Sequence, residues 1–194
     1  MTAMGNPGTR RRRIAIWIAS GAVALALTPA AAPHINNNFH TLVEGEAYRS
    51  AQPMPEEIRS YFGQHKIATI MNLRGPSPGS PWYDDELRTA KELGITHIDF
   101  AMSARRELTP QQVLQLVSIM KSAAKPLLIH CQAGADRTGL ASALYMAEIA
   151  GQGEAASESQ LSLRYGHYAI PLVGTWEMNL TWEKAEPFIG FSKS

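Results

Sequence analysis

The residues best suited to covalent chemistry lie in one segment, from His130 to Gly139. Cys131, the only cysteine of the chain, follows an apolar run that predicts a buried strand, and a helix is predicted to begin at residue 138. A short glycine-containing loop between a strand and a helix directs successive backbone N–H groups towards its centre, and the helix N-terminus adds positive potential. Such a loop can bind an anion of the size of phosphate, and the same donors stabilise a cysteine thiolate.

Arg137 completes the predicted anion site. It lies six positions after Cys131, and its planar guanidinium can bind two phosphate oxygens at once. Gly134 allows the loop backbone to turn close to a ligand. Thr138, at the predicted start of the helix, can cap the helix and offer its hydroxyl to the sulfur when water cleaves a phosphocysteine. The predicted phosphate-binding residues are Gln132, Ala133, Gly134, Ala135, Asp136 and Arg137.

This segment resembles the signature of the cysteine-dependent protein tyrosine phosphatases, in which His-Cys is followed by five residues, Arg, Ser or Thr, and Gly. Outside the loop, the chain is similar to compact bacterial dual-specificity-like members of that superfamily, over about residues 36–187. That wider similarity is carried by Phe39, Gly45, residues 48–53 and residues 72–74. The signature itself is matched by His130, Cys131, Gly134, Arg137, Thr138 and Gly139.

The resemblance implies a phosphoric monoester hydrolase that works through a phosphocysteine intermediate. Cys131 would attack phosphorus, Arg137 and the loop N–H groups would hold the equatorial oxygens, and water would then hydrolyse the intermediate. His130 would orient the loop and tune the thiol through hydrogen bonds, and would not act as a base. Neither a metal nor a cofactor is expected.

The general acid that protonates the leaving group is left open by the sequence. In the family it is usually an Asp on a loop that precedes the cysteine strand, and the candidates there are Asp99 and Glu107. Asp136, inside the loop and next to Arg137, is similar in position to an acid found in some lipid-directed and bacterial atypical members. We expect the acid to be Asp136 or Asp99, with Glu107 next; the alternative for Asp136 is a structural role within the loop.

The substrate is predicted only as a class. The resemblance favours a phosphorylated protein, cleaved by a protein tyrosine or dual-specificity phosphatase, or a small phosphomonoester. A phosphatase for a phospholipid or inositol phosphate is one alternative, and a phosphate-binding pseudophosphatase without activity is another. Trp82 and Tyr83 could form an aromatic wall for a phosphotyrosine ring, although core packing is the more frequent role of such residues. Four arginines could line the pocket rim or simply be solvated: Arg49, Arg74, Arg105 and Arg106.

Strands and helices alternate along the rest of the chain. The helix after Thr109 is marked by a capping box, with Pro110 at its first position and Gln112 three residues after the cap. The alternation predicts an α/β fold of the phosphatase type, with a mostly parallel central sheet and helices on both faces. The other predicted elements are a hairpin over 41–48, strands at 67–73, 95–100 and 126–130, and helices at 55–64, 82–93, 138–150, 153–164 and 175–187.

The N-terminal segment has the composition of an export signal. Arg10–Arg13 precede an apolar run, Ile14–Leu27, and small residues follow it. The run is short for a membrane span, so both a cleaved signal and an uncleaved membrane anchor are open. In either case the arginines should hold the N-terminus in the cytoplasm and place the remainder outside it. The predicted organisation is a signal or anchor at 1–33, the phosphatase-like domain at 36–187 and a tail at 188–194.

Composition limits the other classes of function. The chain has 194 residues, which leaves about one ordinary domain after the N-terminal segment is subtracted. Four of its 18 basic residues and none of its 17 acidic residues lie before residue 34, so the remainder is slightly acidic and a poor nucleic-acid binder. A single cysteine excludes an intramolecular disulfide and a cysteine-based zinc cluster made by this chain alone.

Overall fold

The computed structural model describes residues 37–171 and 174–191. The predicted signal or anchor, residues 1–33, lies outside these residues, as do the last three positions of the predicted tail. Among the helices of the described ranges, none is both long enough and apolar enough to span a membrane.

Five four-residue strands form one mixed sheet: β1 (His40–Val43), β2 (Ala47–Ser50), β3 (Thr69–Asn72), β4 (Thr96–Asp99) and β5 (Leu127–His130). Their order across the sheet is β1-β2-β5-β3-β4. The β1–β2 pair is antiparallel and corresponds to the predicted hairpin, whereas the other three pairs are parallel. The sheet is therefore mostly parallel, as the alternation of elements predicts.

The helices are α1 (Pro55–His65), α2 (Pro81–Leu93), α3 (Pro110–Ser122), α4 (Asp136–Glu148), α5 (Glu154–Glu158) and α6 (Glu177–Ala185). The helix predicted over 153–164 is shorter than expected, because it consists of α5 followed by a separate 3-10 turn at Leu163–Tyr165. The helix predicted over 175–187 corresponds to α6.

Each face of the sheet carries its own hydrophobic core. Side chains alternate along a strand, so neighbouring residues of one strand enter different cores. Ile70 of β3 packs with Ile58 of α1 and Ala90 of α2. Met71, the next residue of β3, packs in a second core that also contains Leu116 of α3. Helices therefore cover both faces of the sheet, and α4 and α6 contribute to the second core.

The carboxyl ends of the parallel strands lie at one edge of the sheet. His130 is aligned with Ser50 on one side and with Asn72 on the other, and Asn72 is aligned with Asp99. Neighbouring strands are about 4.8 Å apart. The residues that follow β2, β3 and β4 therefore lie close to the segment that begins at Cys131, after β5.

The start of one helix follows its sequence signal, and the start of another differs. Thr109 accepts a hydrogen bond from the Gln112 backbone N–H, and the Gln112 side chain accepts one from the Thr109 backbone, as the capping box predicts. The prediction that Thr138 caps α4 is wrong, because α4 begins two residues earlier, at Asp136. Thr138 lies in the first turn, and its buried hydroxyl has no hydrogen-bond partner among the described residues.

Candidate active site

The loop between β5 and α4 has its carbonyl groups turned outwards. The carbonyl of Gln132 accepts a hydrogen bond from the Gln52 backbone at 3.2 Å, and that of Ala133 accepts one from the Asn38 amide at 3.0 Å. In the described part of the chain, no group accepts a hydrogen bond from the backbone N–H groups of residues 132–135. Outward carbonyls leave these N–H groups free to converge on an anion, which is the arrangement of a phosphate-binding nest.

Gly134 is the position where the loop needs a glycine. Its φ is +69°, and a Cβ atom there would lie 2.6 Å from the Ala51 backbone nitrogen and 2.7 Å from the Ser50 carbonyl. A side chain would therefore meet the backbone that follows β2. The loop thus lies directly against the end of β2.

Arg49 anchors the loop from beneath and does not line the pocket rim. It is completely buried on β2, where it donates to the Gly134 carbonyl at 2.8 Å and to the Gln160 carbonyl at 3.0 Å. Its guanidinium also lies 3.8 Å from the centre of the Tyr165 ring. Burial lowers the pKa of Arg49 to about 10, against the opposing effects of Tyr165 and Cys131. Arg49 is therefore neither at the pocket rim nor solvated, the two alternatives that the sequence left open. It is buried and holds the loop in place.

Cys131 and Arg137 lie at opposite ends of the loop. Cys131 follows the last residue of β5 and is buried, with 2% of its surface exposed. Arg137 lies in the first turn of α4, and its guanidinium donates to the Met102 carbonyl at 3.4 Å. Met102 belongs to the segment that follows β4, so this contact directs the Arg137 side chain towards the carboxyl edge of the sheet. The loop therefore begins at the Cys131 thiol and leads into the Arg137 guanidinium, with its N–H groups between them.

A buried carboxylate, that of Glu86, contacts the residue that precedes Cys131. Glu86 of α2 contacts the Nε2 atom of His130 at 3.2 Å and that of His97 at 2.6 Å. Burial by itself would raise the pKa of Glu86, but the nearby His130 and His97 rings outweigh it and lower that pKa to about 2. The other ring nitrogen of His130 faces the Cys131 carbonyl at 3.4 Å. His130 thus has the supporting position that the sequence predicts, whereas Glu86 and His97 carry no local sequence signal.

Two of the three candidate acids are engaged in structural contacts. One oxygen of Asp99 accepts a hydrogen bond from the Asn72 amide at 2.8 Å, and the other accepts one from the Tyr83 hydroxyl at 2.6 Å. Glu107 forms an ion pair with Lys184 at 2.5 Å. Both carboxylates are therefore held by groups outside the loop.

Asp136 is the candidate acid that directly follows the loop, as the first residue of α4. Its Oδ1 atom lies 2.7 Å from Nδ1 of His167, and about a quarter of its side chain is exposed. The other ring nitrogen of His167 lies 2.8 Å from Oδ1 of Asn179, on α6. Because His167 and Asn179 are far from the loop in sequence, the sequence analysis did not identify either residue.

Arg74 is held in place by contacts with Trp82 and Gln52. The Arg74 guanidinium lies 3.4 Å from the centre of the Trp82 ring and donates to the Gln52 side chain at 2.8 Å. Burial lowers the pKa of Arg74, and the positive charge of Arg137 lowers it further. Arg105 and Arg106 are exposed.

Trp82 and Tyr83 do not form one aromatic wall. Trp82 is half-buried beneath Arg74, so one face of its ring is already covered. Tyr83 is buried, with its hydroxyl on Asp99. Burial, together with the hydrogen bond to Asp99, raises the pKa of Tyr83 to about 12. Core packing is therefore the role of Tyr83.

Comparison with known proteins gives one family and a set of similar folds. Residues 31–167 match the family described as DSP-PTPase phosphatase fused to NAD+ kinase. No curated protein matches the sequence. TpbA from P. aeruginosa, solved with pTyr, has 18% identity and a TM-score of 0.60, with 75% of this chain and 83% of that chain covered.

Two further structures have the same fold. The core catalytic domain of the PP-IP phosphatase SIW14 from S. cerevisiae, solved with citrate, has 22% identity and a TM-score of 0.58, with 74% of this chain and 83% of that chain covered. PTPMT1 has 11% identity and a TM-score of 0.56, with 75% and 94% covered. Because the sequence identities are only 11–22%, these three comparisons show a similar fold and no more.

Proposed function

The chain belongs to the family of DSP-PTPase phosphatases, and on this premise we propose that it removes phosphate from tyrosine and related side chains of proteins. It is a cysteine-dependent phosphatase of the protein tyrosine phosphatase superfamily. The observation that carries the proposal is the loop after β5, whose carbonyls accept hydrogen bonds from surrounding residues while its N–H groups have no acceptor among the described residues.

The proposed reaction has two steps. The Cys131 thiolate attacks phosphorus, a sulfur–phosphorus bond forms, and the bond to the leaving oxygen breaks. Arg137 and the loop N–H groups bind the equatorial oxygens, where negative charge must be stabilised in the transition state. Water then attacks phosphorus, and the sulfur leaves as a thiolate. Arg49 and Gly134 support these steps by fixing the loop against the end of β2.

We assign the general acid to Asp136. The departing oxygen needs a proton, and a donor must come within hydrogen-bond distance of it. Asp136 directly follows the loop proposed to hold the phosphate, and among the described residues only its Oδ1 atom has a hydrogen-bond partner, His167. Asp99 has both oxygens engaged by Asn72 and Tyr83, which supports a structural role for that residue.

The proposed substrate class is a phosphoprotein, with phosphotyrosine as its first member. The variable positions of the loop carry no cation that would favour a highly phosphorylated ligand, since they are Gln132, Ala133, Ala135 and Asp136. The similar structure of TpbA contains pTyr, which supports this choice.

A second candidate class is an inositol phosphate or a phospholipid. It is favoured by Arg74, a second cation that is held on Trp82 and whose pKa is lowered by burial and by the charge of Arg137. A substrate with two phosphate groups could contact both arginines. The similar structure of a PP-IP phosphatase points in the same direction.

The test uses the full chain with p-nitrophenyl phosphate in the presence of a chelator. We expect turnover, and we expect Cys131→Ser to abolish it while tungstate binding persists, because a serine hydroxyl is not ionised by this loop. Partial activity in Cys131→Ser would contradict the covalent mechanism. Tungstate binding without turnover by the unaltered chain would indicate a pseudophosphatase. Equal amounts of a phosphotyrosine peptide, a phosphoserine peptide and a phosphoinositide then rank the two substrate classes by kcat/KM.

We also propose that the catalytic domain works outside the cytoplasm, after cleavage of the N-terminal segment or anchored by it. The proposal is supported by the four arginines before the apolar run, Ile14–Leu27. A reporter that is active only outside the cytoplasm, fused after Ser194, should give a signal. Full-length protein in the soluble cytoplasmic fraction would contradict this location.

A further inference from the structure

We propose that His167 is a positioning residue that holds the proton delivered by Asp136, and that Asn179 fixes the imidazole tautomer required for this. The inference rests on the proposed function, in which Asp136 is the general acid. It assigns a role to two residues that lie outside the signature loop, and Asn179 lies outside the segment matched by the family as well.

The three side chains form a short row with the buried His167 at its centre, and the row begins next to the loop after β5. His167 follows the 3-10 turn at Leu163–Tyr165 and is completely buried. Its Nδ1 atom lies 2.7 Å from Oδ1 of Asp136, in the first turn of α4. Its Nε2 atom lies 2.8 Å from Oδ1 of Asn179, in α6. The row therefore links the start of α4 to α6.

The hydrogen-bond chemistry of this row places one proton between Asp136 and His167. The Oδ1 atom of an amide can only accept, so Nε2 of His167 must carry a hydrogen. In a neutral imidazole, Nδ1 then has a lone pair and no hydrogen. A contact of 2.7 Å between this Nδ1 and a carboxyl oxygen needs a proton between the two atoms. The pair thus holds one proton, whether it is bonded to the carboxyl or to the ring.

This proton balances both steps of the proposed reaction. In the first step the sulfur–phosphorus bond forms, the phosphorus–oxygen bond breaks, and the leaving oxygen takes the proton from Asp136. In the second step water attacks phosphorus, the sulfur–phosphorus bond breaks, and the water gives a proton back to the Asp136–His167 pair. One water is consumed, an alcohol or phenol and a phosphate are released, and the pair returns to its starting state.

The test compares two leaving groups in the full chain. The phenol of phenyl phosphate needs more help from an acid than the nitrophenol of p-nitrophenyl phosphate. In His167→Asn, the amide can still contact Asp136 but cannot hold a proton for it. We expect kcat on phenyl phosphate to fall roughly tenfold or more, while kcat on p-nitrophenyl phosphate changes little. His65→Asn is the control, because His65 packs against Phe39 in the other core, and it should change neither rate.

Failure of this inference can be told apart from failure of the acid assignment. Asp136→Asn should show the same dependence on the leaving group, and Asp99→Asn should not. If Asp136→Asn affects both substrates equally, the acid assignment is wrong. If Asp136→Asn shows the dependence and His167→Asn does not, Asp136 is the acid and only the role of His167 is overturned. Equal loss on both substrates in a His167→Asn variant that still binds tungstate would also overturn it.

A second measurement uses the unaltered chain and does not depend on how variants fold. The ¹⁵N spectrum of the histidine rings reports which nitrogen of His167 carries hydrogen. A hydrogen on Nε2, with Nδ1 hydrogen-bonded to the carboxyl group, is the expected result. A neutral ring with hydrogen only on Nδ1 would overturn the proposal, because Asp136 would then be a carboxylate without a proton to give.

Discussion

Arg49 and Arg137 are both close to the loop, but they act on different parts of it. Arg49 is buried, and its guanidinium binds the loop carbonyl of Gly134 and a carbonyl near α5. Among the described residues, Arg137 donates one hydrogen bond, to the backbone carbonyl of Met102. The two arginines therefore have different contacts, although both lie close to the loop.

Arg137→Lys should lower kcat/KM by roughly 10²- to 10³-fold, which is the effect of removing one preorganised donor to a developing oxyanion. A lysine ammonium is a point charge and cannot form the two parallel hydrogen bonds of a guanidinium to two phosphate oxygens. Steady-state kinetics with p-nitrophenyl phosphate measure the effect. Arg88→Lys, at an exposed arginine paired with Asp85, is the control and should retain the full rate. A rate near that of the unaltered chain in Arg137→Lys would contradict the assignment.

The sequence predicts the loop at residue level but not the residues that support it. Cys131, Gly134 and Arg137 were predictable because their spacing within one short segment specifies a strand, a turn and a helix start. Glu86 contacts His130 across 44 positions, and His167 contacts Asp136 across 31. Such contacts form when elements that are far apart in sequence pack together, so no local sequence pattern predicts them. The two alternatives predicted for Arg49, the rim and a solvated surface, both miss its burial for the same reason, since that burial depends on Gln160, 111 positions away.

Helix boundaries were predictable where a cap is encoded locally. The start of α3 follows from Thr109 and Gln112, whose mutual hydrogen bonds require only a three-residue spacing. The start of α4 was placed two residues late, because the loop and its tight packing against β2 determine it. Thr138 is then inside the helix, where its buried hydroxyl does not serve as a cap and has no hydrogen-bond partner among the described residues.

Gly134→Ala should disrupt the join between the loop and β2. A non-glycine residue at positive φ costs roughly 1–2 kcal/mol, and here the added Cβ would also meet backbone atoms at 2.6–2.7 Å. Gly79→Ala is a matched control, because Gly79 has a φ of +84° but nothing within 4 Å of the added Cβ. We expect Gly134→Ala to lower the free energy of unfolding by about 2 kcal/mol more than Gly79→Ala, as overpacking does.

Denaturant unfolding measures this difference, and tungstate binding reports on the loop. Gly79→Ala should bind tungstate as the unaltered chain does, whereas Gly134→Ala should bind it weakly. Equal losses of stability in the two variants would show that the close approach of Gly134 to Ser50 and Ala51 is relaxed at little cost.

At the scale of the whole molecule, one buried polar cluster joins three elements at the carboxyl edge of the sheet. Glu86 comes from α2, His97 from β4 and His130 from β5, and Gln52 extends the cluster to the segment after β2. The α/β class and the mostly parallel sheet were predictable from the alternation of apolar strands and helices. The strand order was not, because it depends on how β5 inserts between β2 and β3.

Stability in acid should depend on this cluster. The pKa of Glu86 is lowered to about 2, since His130 and His97 outweigh the effect of burial, whereas its ordinary value is 4.5. A carboxyl group with a depressed pKa in the folded state stabilises the fold fully above its ordinary pKa and loses this contribution as pH falls towards the folded value. The contribution of Glu86 is therefore present above about pH 4.5 and disappears between there and about pH 2.

Glu86→Gln should consequently lower the free energy of unfolding by about 3 kcal/mol at neutral pH, and by progressively less below pH 4.5. The uncharged amide keeps the shape of the side chain but leaves two buried histidines without their anion. Denaturant unfolding of the two proteins between pH 7 and about pH 2.5 gives the difference directly. Glu92→Gln is the control, because Glu92 pairs with Arg59 at the surface, where an ion pair contributes about 0–1 kcal/mol. If the difference between the unaltered chain and Glu86→Gln stays constant over this range, the ionised Glu86 does not hold the edge of the sheet together, and its contacts with His130 and His97 matter only for the shape of the site.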